Sequence, residues 1–196
     1  MIFIFSYLTA NCQASLNMEE YYYLGHPGSP SFVSKASYQS ENKWYGELRY
    51  NYDEARSCSL YGGKTFSKQG DLSWSVTPFA GLVLGELKAG TVGANVSLDY
   101  RKMVFSSESQ ITVSAEDRGR NFIFHWWELG YQATAHFYAG IALQETHNNS
   151  ACDKWDPGIQ LGFSYKEWTF PVYAFDPMSG SRYFVLGALW EKKWHK

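Results

Sequence analysis

Charge, cysteine and long apolar runs are all scarce in this sequence, and each shortage limits the fold and function. Charged residues make up 18% of the 196 residues, and the net charge of −2 gives no reason to expect nucleic acid as a partner. No apolar run approaches the ~20 residues that a membrane-spanning helix needs. Three cysteines allow at most one disulfide within the chain.

Motifs that carry enzyme or metal chemistry are also missing. There is no phosphate-binding loop, dinucleotide fingerprint or zinc-ligand spacing, and the five histidines are scattered. His125 and Glu128 would lie on opposite faces of a strand, because side chains alternate along it. His147 and Ser150 share a loop, whereas a hydrolase needs its nucleophile and base held rigidly. We therefore expect no enzyme, no cofactor and no metal site, with a lipid hydrolase as the least favoured alternative.

What the sequence has instead is many aromatic residues in segments that alternate apolar and polar side chains. Aromatics make up 18% of the chain, which excludes a disordered protein. The clearest segment is 43–52, where Trp44, Leu48, Tyr50 and Tyr52 share one face. Similar alternation or strand-favouring composition occurs at 19–24, 31–39, 57–67, 72–84, 92–100, 103–115, 121–133, 137–144, 159–165, 168–175 and 182–194. About twelve strands are predicted.

Two features of this strand pattern lead to further predictions. Pro78 and Pro171 fall inside strands, and because proline cannot donate to a ladder, each is expected to mark a bulge. The connections between strands alternate between short turns and longer loops along the chain. Transmembrane barrels sort their connections in this way, with short turns on the periplasmic side. An even strand number would place both chain ends on that side.

The pattern as a whole predicts an all-β fold, a transmembrane antiparallel β-barrel. Backbone amides in lipid must be satisfied internally, so only helices and closed barrels span a bilayer. The Trp and Tyr residues suit the two aromatic girdles of such a barrel, although a sugar-binding platform would use the same residues.

Four segments resemble outer-membrane β-barrels of Gram-negative bacteria, and more narrowly small outer-membrane proteins of the Bacteroidota type. They are WYGELRYNY at 44–52, ELGYQ at 128–132, WTFPVY at 168–173 and RYFVLGALWE at 182–191. The resemblance implies a barrel in the cell outer membrane, with the lipid bilayer as its partner. It brings no catalytic residues with it.

The N-terminus has the pattern of an export signal. A short apolar core is followed by small residues, so residues 1–14 are predicted to be a signal peptide and 15–196 the barrel. Acylation at Cys12 is a weaker alternative, because Asn11 is a poor residue before a lipidated cysteine. Removal of this segment leaves Cys58 and Cys152. Both are expected at the outer end of the barrel, where they either form a disulfide or stay apart.

Candidate functional residues are the charged side chains that alternation turns toward the lumen. They are Glu47, Arg49, Glu108 and Glu128. A constriction of carboxylates with one arginine would favour cations or small polar solutes, so a pore is the leading function. The alternatives are a closed structural barrel whose outer loops bind a partner, and a soluble exported β-barrel or sandwich that binds a small ligand.

Overall fold

The structure, a computed structural model, describes residues 14–25, 32–148 and 154–194, and these form one closed antiparallel sheet. A 3-10 turn, Arg118–Arg120, precedes β9. The described part of the chain contains no helix of the length and apolarity needed to cross a membrane. The strands are β1 Ala14–Leu24, β2 Phe32–Gln39, β3 Trp44–Tyr50, β4 Ser57–Lys64, β5 Phe66–Lys68, β6 Leu72–Gly85, β7 Ala89–Tyr100, β8 Met103–Ser114, β9 Phe122–Gln132, β10 Phe137–Asn148, β11 Lys154–Tyr165, β12 Trp168–Phe175 and β13 Tyr183–Trp194.

Twelve barrel strands result, because β4 and β5 are two parts of one strand interrupted at Thr65. Each strand pairs with its neighbours in the chain, and the pairing of β1 with β13 closes the circle. Closure leaves no strand edge unpaired, which a bilayer requires. The predicted fold class and strand number are confirmed.

The two ends of the barrel carry different connections, as predicted. One end, called here the turn end, holds the short turns 40–43, 69–71, 101–102, 133–136 and 166–167, and the described chain begins and finishes there. The opposite end, called the loop end, holds the connections 51–56, 86–88, 115–121 and 176–182. Most of these are longer, and 86–88 is the exception.

The outer wall of the barrel is apolar. Leu60, Leu161 and Trp44 are 65%, 62% and 60% exposed, and Leu48 is 54% exposed. A soluble sandwich would bury these side chains between two sheets, whereas here they point away from the barrel. Such an apolar surface around a closed barrel suits contact with acyl chains, so the soluble alternative is wrong.

One strand ends earlier than the alternation predicts. β3 was expected to reach Tyr52, with that ring on the lipid face, but the strand ends at Tyr50. Asn51 takes a left-handed backbone conformation, with φ 56°, which asparagine tolerates better than most residues. The chain then turns inward, and Tyr52 lies inside the barrel, where it lines both lumen cavities.

The prediction of bulges at the two prolines was wrong. The register of β12 on β13 is the same on both sides of Pro171, so no residue is inserted. Its ring fills the space beside Gly187, where an added Cβ would lie 2.6 Å from the proline Cγ. The register of β6 also continues unchanged from β4 to β5 across Pro78. Each proline interrupts the ladder without adding a residue.

Candidate functional site

The lumen contains the four charged residues that the sequence singles out. Glu47 and Arg49 are two residues apart on β3, so both point inward, and both are fully buried. Glu108 of β8 and Glu128 of β9 also face inward. The structure brings the first three together and places Glu128 in a different cluster.

Arg49 is the centre of a charge cluster that crosses the lumen. Its Nε lies 2.5 Å from Glu47 Oε1, and its Nη1 lies 2.8 Å from Glu108 Oε1. Gln110 Oε1 accepts a further hydrogen bond from Nη1 at 2.9 Å. β3 and β8 are not neighbours in the barrel, so these contacts join separate parts of the wall.

Aromatic rings cover the guanidinium of this arginine. The Arg49 Cζ lies 4.4 Å from the ring centre of Tyr52 and 4.6 Å from that of Tyr61. A delocalised, weakly hydrated cation suits such stacking better than a lysine ammonium would. The arginine therefore has carboxylates beside its Nε and Nη1 and aromatic rings next to its guanidinium, while its buried Nη2 has no hydrogen-bond partner among the described residues.

Lys35 extends the cluster toward the neighbouring wall. Its Nζ lies 3.1 Å from Glu19 Oε2 and 3.5 Å from Glu108 Oε2. Tyr21 donates its hydroxyl to Glu19 at 3.0 Å. Charged groups from β1, β2, β3 and β8 thus form one continuous network.

The connection 51–56 folds into the lumen instead of covering it from outside. The Asp53 carboxylate accepts hydrogen bonds from the hydroxyls of Ser59 and Tyr61 and from Gln110 Nε2, the last at 2.6 Å. Its Oδ1 also lies 3.7 Å from Arg49 Nη1. These contacts anchor the segment to both β4 and β8.

Tyr52 occupies the space between opposite parts of the wall. Its ring lies against Arg49 of β3 on one side. On the other side it makes an edge contact with Phe124 of β9, with ring centres 6.1 Å apart. In the order of the barrel strands, β3 and β9 are nearly opposite each other.

Glu128 belongs to an aromatic part of the wall. Its Oε1 accepts hydrogen bonds from Trp126 Nε1 at 2.6 Å and from the Tyr173 hydroxyl at 2.8 Å. Trp126 also packs edge-on against Phe175 at 5.3 Å. This carboxylate is held by two neutral donors, unlike the three carboxylates around Arg49.

Two cavities meet at this level of the lumen. The one toward the turn end has a volume of about 740 Å³ and is lined by Glu19, Lys35 and Glu128 among others. The one toward the loop end has about 370 Å³. Tyr23 and Tyr52 line both cavities, so they mark the boundary between them.

Sequence reasoning missed Tyr52, Asp53 and Lys35 as site residues. Period-two alternation assigned Tyr52 to the lipid face, and it cannot show that a loop returns into the lumen. The available signal was Asn51, whose type favours the end of a strand.

Two sequence predictions fall wholly or partly outside the described residues. Cys58 is exposed on the outer wall near the loop end, while Cys152 lies outside the described ranges, so their disulfide stays a prediction. The predicted signal peptide also lies outside them, except for Ala14. Among described residues, no group of three or more His, Cys, Asp or Glu side chains is placed to hold a metal ion.

Comparison with known proteins supports the fold. No protein-family model and no curated protein matches the chain. The KdgM porin in complex with disordered oligogalacturonate is similar with a TM-score of 0.62 at 10% identity, covering 90% of this chain and 98% of that one. A second KdgM porin structure gives 0.60 at 12% identity over the same shares. OccAB4 of Acinetobacter baumannii gives 0.52 at 10% identity, covering 84% of this chain and 54% of that one. The chain therefore has the fold of an outer-membrane porin barrel.

Proposed function

We propose that this chain forms a pore for small polar solutes in a bacterial outer membrane and that Tyr52 closes the pore in this conformation. The observation that carries the proposal is the pair of cavities that meet at Tyr52 inside a closed barrel. An apolar outer wall and an even strand number are typical of single-chain outer-membrane barrels. Export by the predicted signal peptide 1–14 and a source of the Bacteroidota type are parts of the same proposal.

The charge of the constriction favours cations and neutral polar solutes. Four carboxylates, those of Glu19, Glu47, Asp53 and Glu108, surround only two cations. Rings of carboxylates select for cations by direct electrostatic attraction. One structural neighbour was solved with oligogalacturonate, a polyanion, and an acidic constriction would repel a solute of that kind.

Substitution Tyr52→Ala tests whether this ring closes the pore. Removal of the ring joins the two cavities, so we expect single-channel conductance in a planar bilayer to rise severalfold above that of the unmodified protein. Tyr50→Ala is the matched control, because Tyr50 is 44% exposed on the outer wall at the end of β3, and its loss should leave conductance unchanged.

The same measurement separates the pore from a closed structural barrel. The contacts of Arg49 with Glu108 and Gln110 favour the closed barrel, because they tie distant strands together across the lumen. If Tyr52→Ala inserts as a heat-modifiable barrel and yet shows no channels, the pore proposal fails. The role of the outer loops in binding a partner would then become the leading function.

A further inference from the structure

Away from its rims, the described outer wall of the barrel is polar at two places. One is the pair Glu20 and Ser34, in which the serine hydroxyl donates to the carboxylate at 2.7 Å. The other is a row across three adjacent strands, Ser109 of β8, His125 of β9 and Glu145 of β10. Neither place belongs to the lumen, so the pore proposal explains neither.

Register places the three residues of this row side by side. Ser109 lies directly opposite His125, and His125 lies directly opposite Glu145. All three are half-buried and belong to the set of alternate residues that point away from the lumen. Directly opposed residues in an antiparallel pair have Cβ atoms ~5 Å apart, within reach of a side-chain contact.

The serine and the histidine of this row are hydrogen-bonded. Ser109 Oγ lies 2.8 Å from His125 Nδ1. A second hydroxyl, that of Ser107, lies 3.4 Å from Ser109 Oγ. Trp127 packs beside His125, with ring centres 5.7 Å apart, and supplies an apolar neighbour.

The position of the row restricts what can approach it. His125 is three residues from the start of β9, and Glu145 is three residues from the end of β10, both counted from the loop end. With a rise of ~3.3 Å per residue and a strand tilt of about 40°, the row lies ~8 Å below the loop end. On an outer-membrane barrel, the outer wall just below the loop end faces the lipids of the bilayer, so membrane lipid is the molecule that can meet this face.

Polar and ionisable groups that face lipid are costly, and they are rarely kept without a use. A serine hydrogen-bonded to a histidine is the pair that activates a serine nucleophile, and the register places Glu145 on the next strand, directly opposite the histidine. We propose that the outer wall carries a second site, with Ser109 as nucleophile and His125 as base, that hydrolyses acyl esters of membrane lipids.

The reaction follows from the positions of these groups. Ser109 Oγ attacks the ester carbonyl carbon while His125 takes the hydroxyl proton. The ester C–O bond breaks, the lipid alcohol leaves with the proton from His125, and an acyl-serine remains. Water, deprotonated by His125, then releases the fatty acid and restores the serine. Glu145, which lies directly opposite His125 in the register, acts as a positioning residue for the imidazole.

Sequence reasoning did not find this site because its members are far apart in the chain. It tested His125 only against Glu128, a residue that faces the lumen. Ser109 and Glu145 become neighbours of His125 only through the pairing of β8, β9 and β10.

A serine-reactive fluorophosphonate tests the site on the full-length barrel purified in detergent. We expect the probe to label Ser109, located by mass spectrometry of the digested protein. In mixed micelles of fluorescently acylated phosphatidylethanolamine, Ser109→Ala should lower fatty-acid release by about 10³-fold or more. The matched control is Ser34→Ala, an outer-wall serine elsewhere, which should leave both labelling and release unchanged.

Glu145→Gln tests the positioning role separately. We expect kcat to fall by about 10-fold with KM unchanged, and Glu145→Asp to recover part of that loss, because only the orientation of the imidazole is affected. A heat-modifiable wild-type barrel that neither reacts with the probe nor releases fatty acid overturns the proposal. So does release that persists unchanged in Ser109→Ala. Neither result bears on the conductance test of the pore.

Discussion

Arg49 illustrates at the scale of a single residue what a charge inside the barrel requires. Its side chain is inaccessible to solvent, and it is accompanied by Glu47, Glu108 and Asp53. A buried ion pair is weak evidence of stability, but loss of one partner leaves uncompensated charge behind. The cluster therefore acts as a unit in which each member depends on the others.

Arg49→Met is expected to lower the free energy of unfolding by about 3–5 kcal/mol, because it leaves the buried carboxylates of Glu47 and Asp53 without a cation and Glu108 with Lys35 alone. The measurement is a urea titration in lipid vesicles, followed by tryptophan fluorescence. Arg56→Met serves as the control, since the Arg56 side chain is 78% exposed and its ion pair with Glu86 contributes little. If Arg49→Met lowers the free energy of unfolding by less than about 1 kcal/mol, water reaches the carboxylates and replaces the arginine, and the argument from burial is wrong.

At the scale of elements, the close contact of an aromatic ring with a glycine on the neighbouring strand determines how β10 and β11 pack on the lumen side. Gly162 of β11 lies directly opposite Tyr138 of β10. A Cβ on this glycine would lie 2.0 Å from atoms of the tyrosine ring, so the ring lies flat over the space of a missing side chain. The glycine is needed for that contact and not for a special backbone angle.

Gly162→Ala should therefore destabilise the barrel by about 1–3 kcal/mol, because the Tyr138 ring must move out of its position. Gly62→Ala is the comparison, since a Cβ there meets no atom within 4 Å and the residue faces outward. That variant should be neutral or slightly stabilising, as alanine loses less backbone freedom than glycine on folding. Equal unfolding midpoints for the two variants would contradict the packing argument.

The connection 51–56 folds inward, and its residue Tyr52 lies between the two cavities of the lumen. Asn51 ends β3, Tyr52 enters the lumen, and Asp53 holds the segment on both sides. A barrel of twelve strands lies between small filled barrels and open porins, so strand number alone does not set its permeability. Under the proposed pore function, the short loop 51–56 takes that role.

At the scale of the whole molecule, the acidic constriction predicts the ionic preference of the open state. In a KCl gradient across a planar bilayer, the Tyr52→Ala channel should show a reversal potential that indicates K⁺ permeability severalfold above that of Cl⁻. Glu19→Gln should reduce this preference, because it removes one of the carboxylates that surround Lys35. An anion-selective channel would contradict the assignment of solute class.

Much of the architecture follows from the sequence alone. The two-residue period places Leu48 outward and Glu47 and Arg49 inward, and the alternation of short turns with longer loops fixes the even strand number. These features are local, because a strand alternates its side chains whatever its partners are. The same local rule failed at Tyr52, where the strand had already ended.

Fold class, strand number, the apolar wall and the inward set of charges were determined by the sequence itself, because each depends on residues a few positions apart. The contact of Arg49 with Glu108, the position of Tyr52 between β3 and β9, and the row of Ser109, His125 and Glu145 were decided only by the tertiary structure. Each of these joins segments distant in the chain. The register of the closed barrel, which no single strand contains, brings them together.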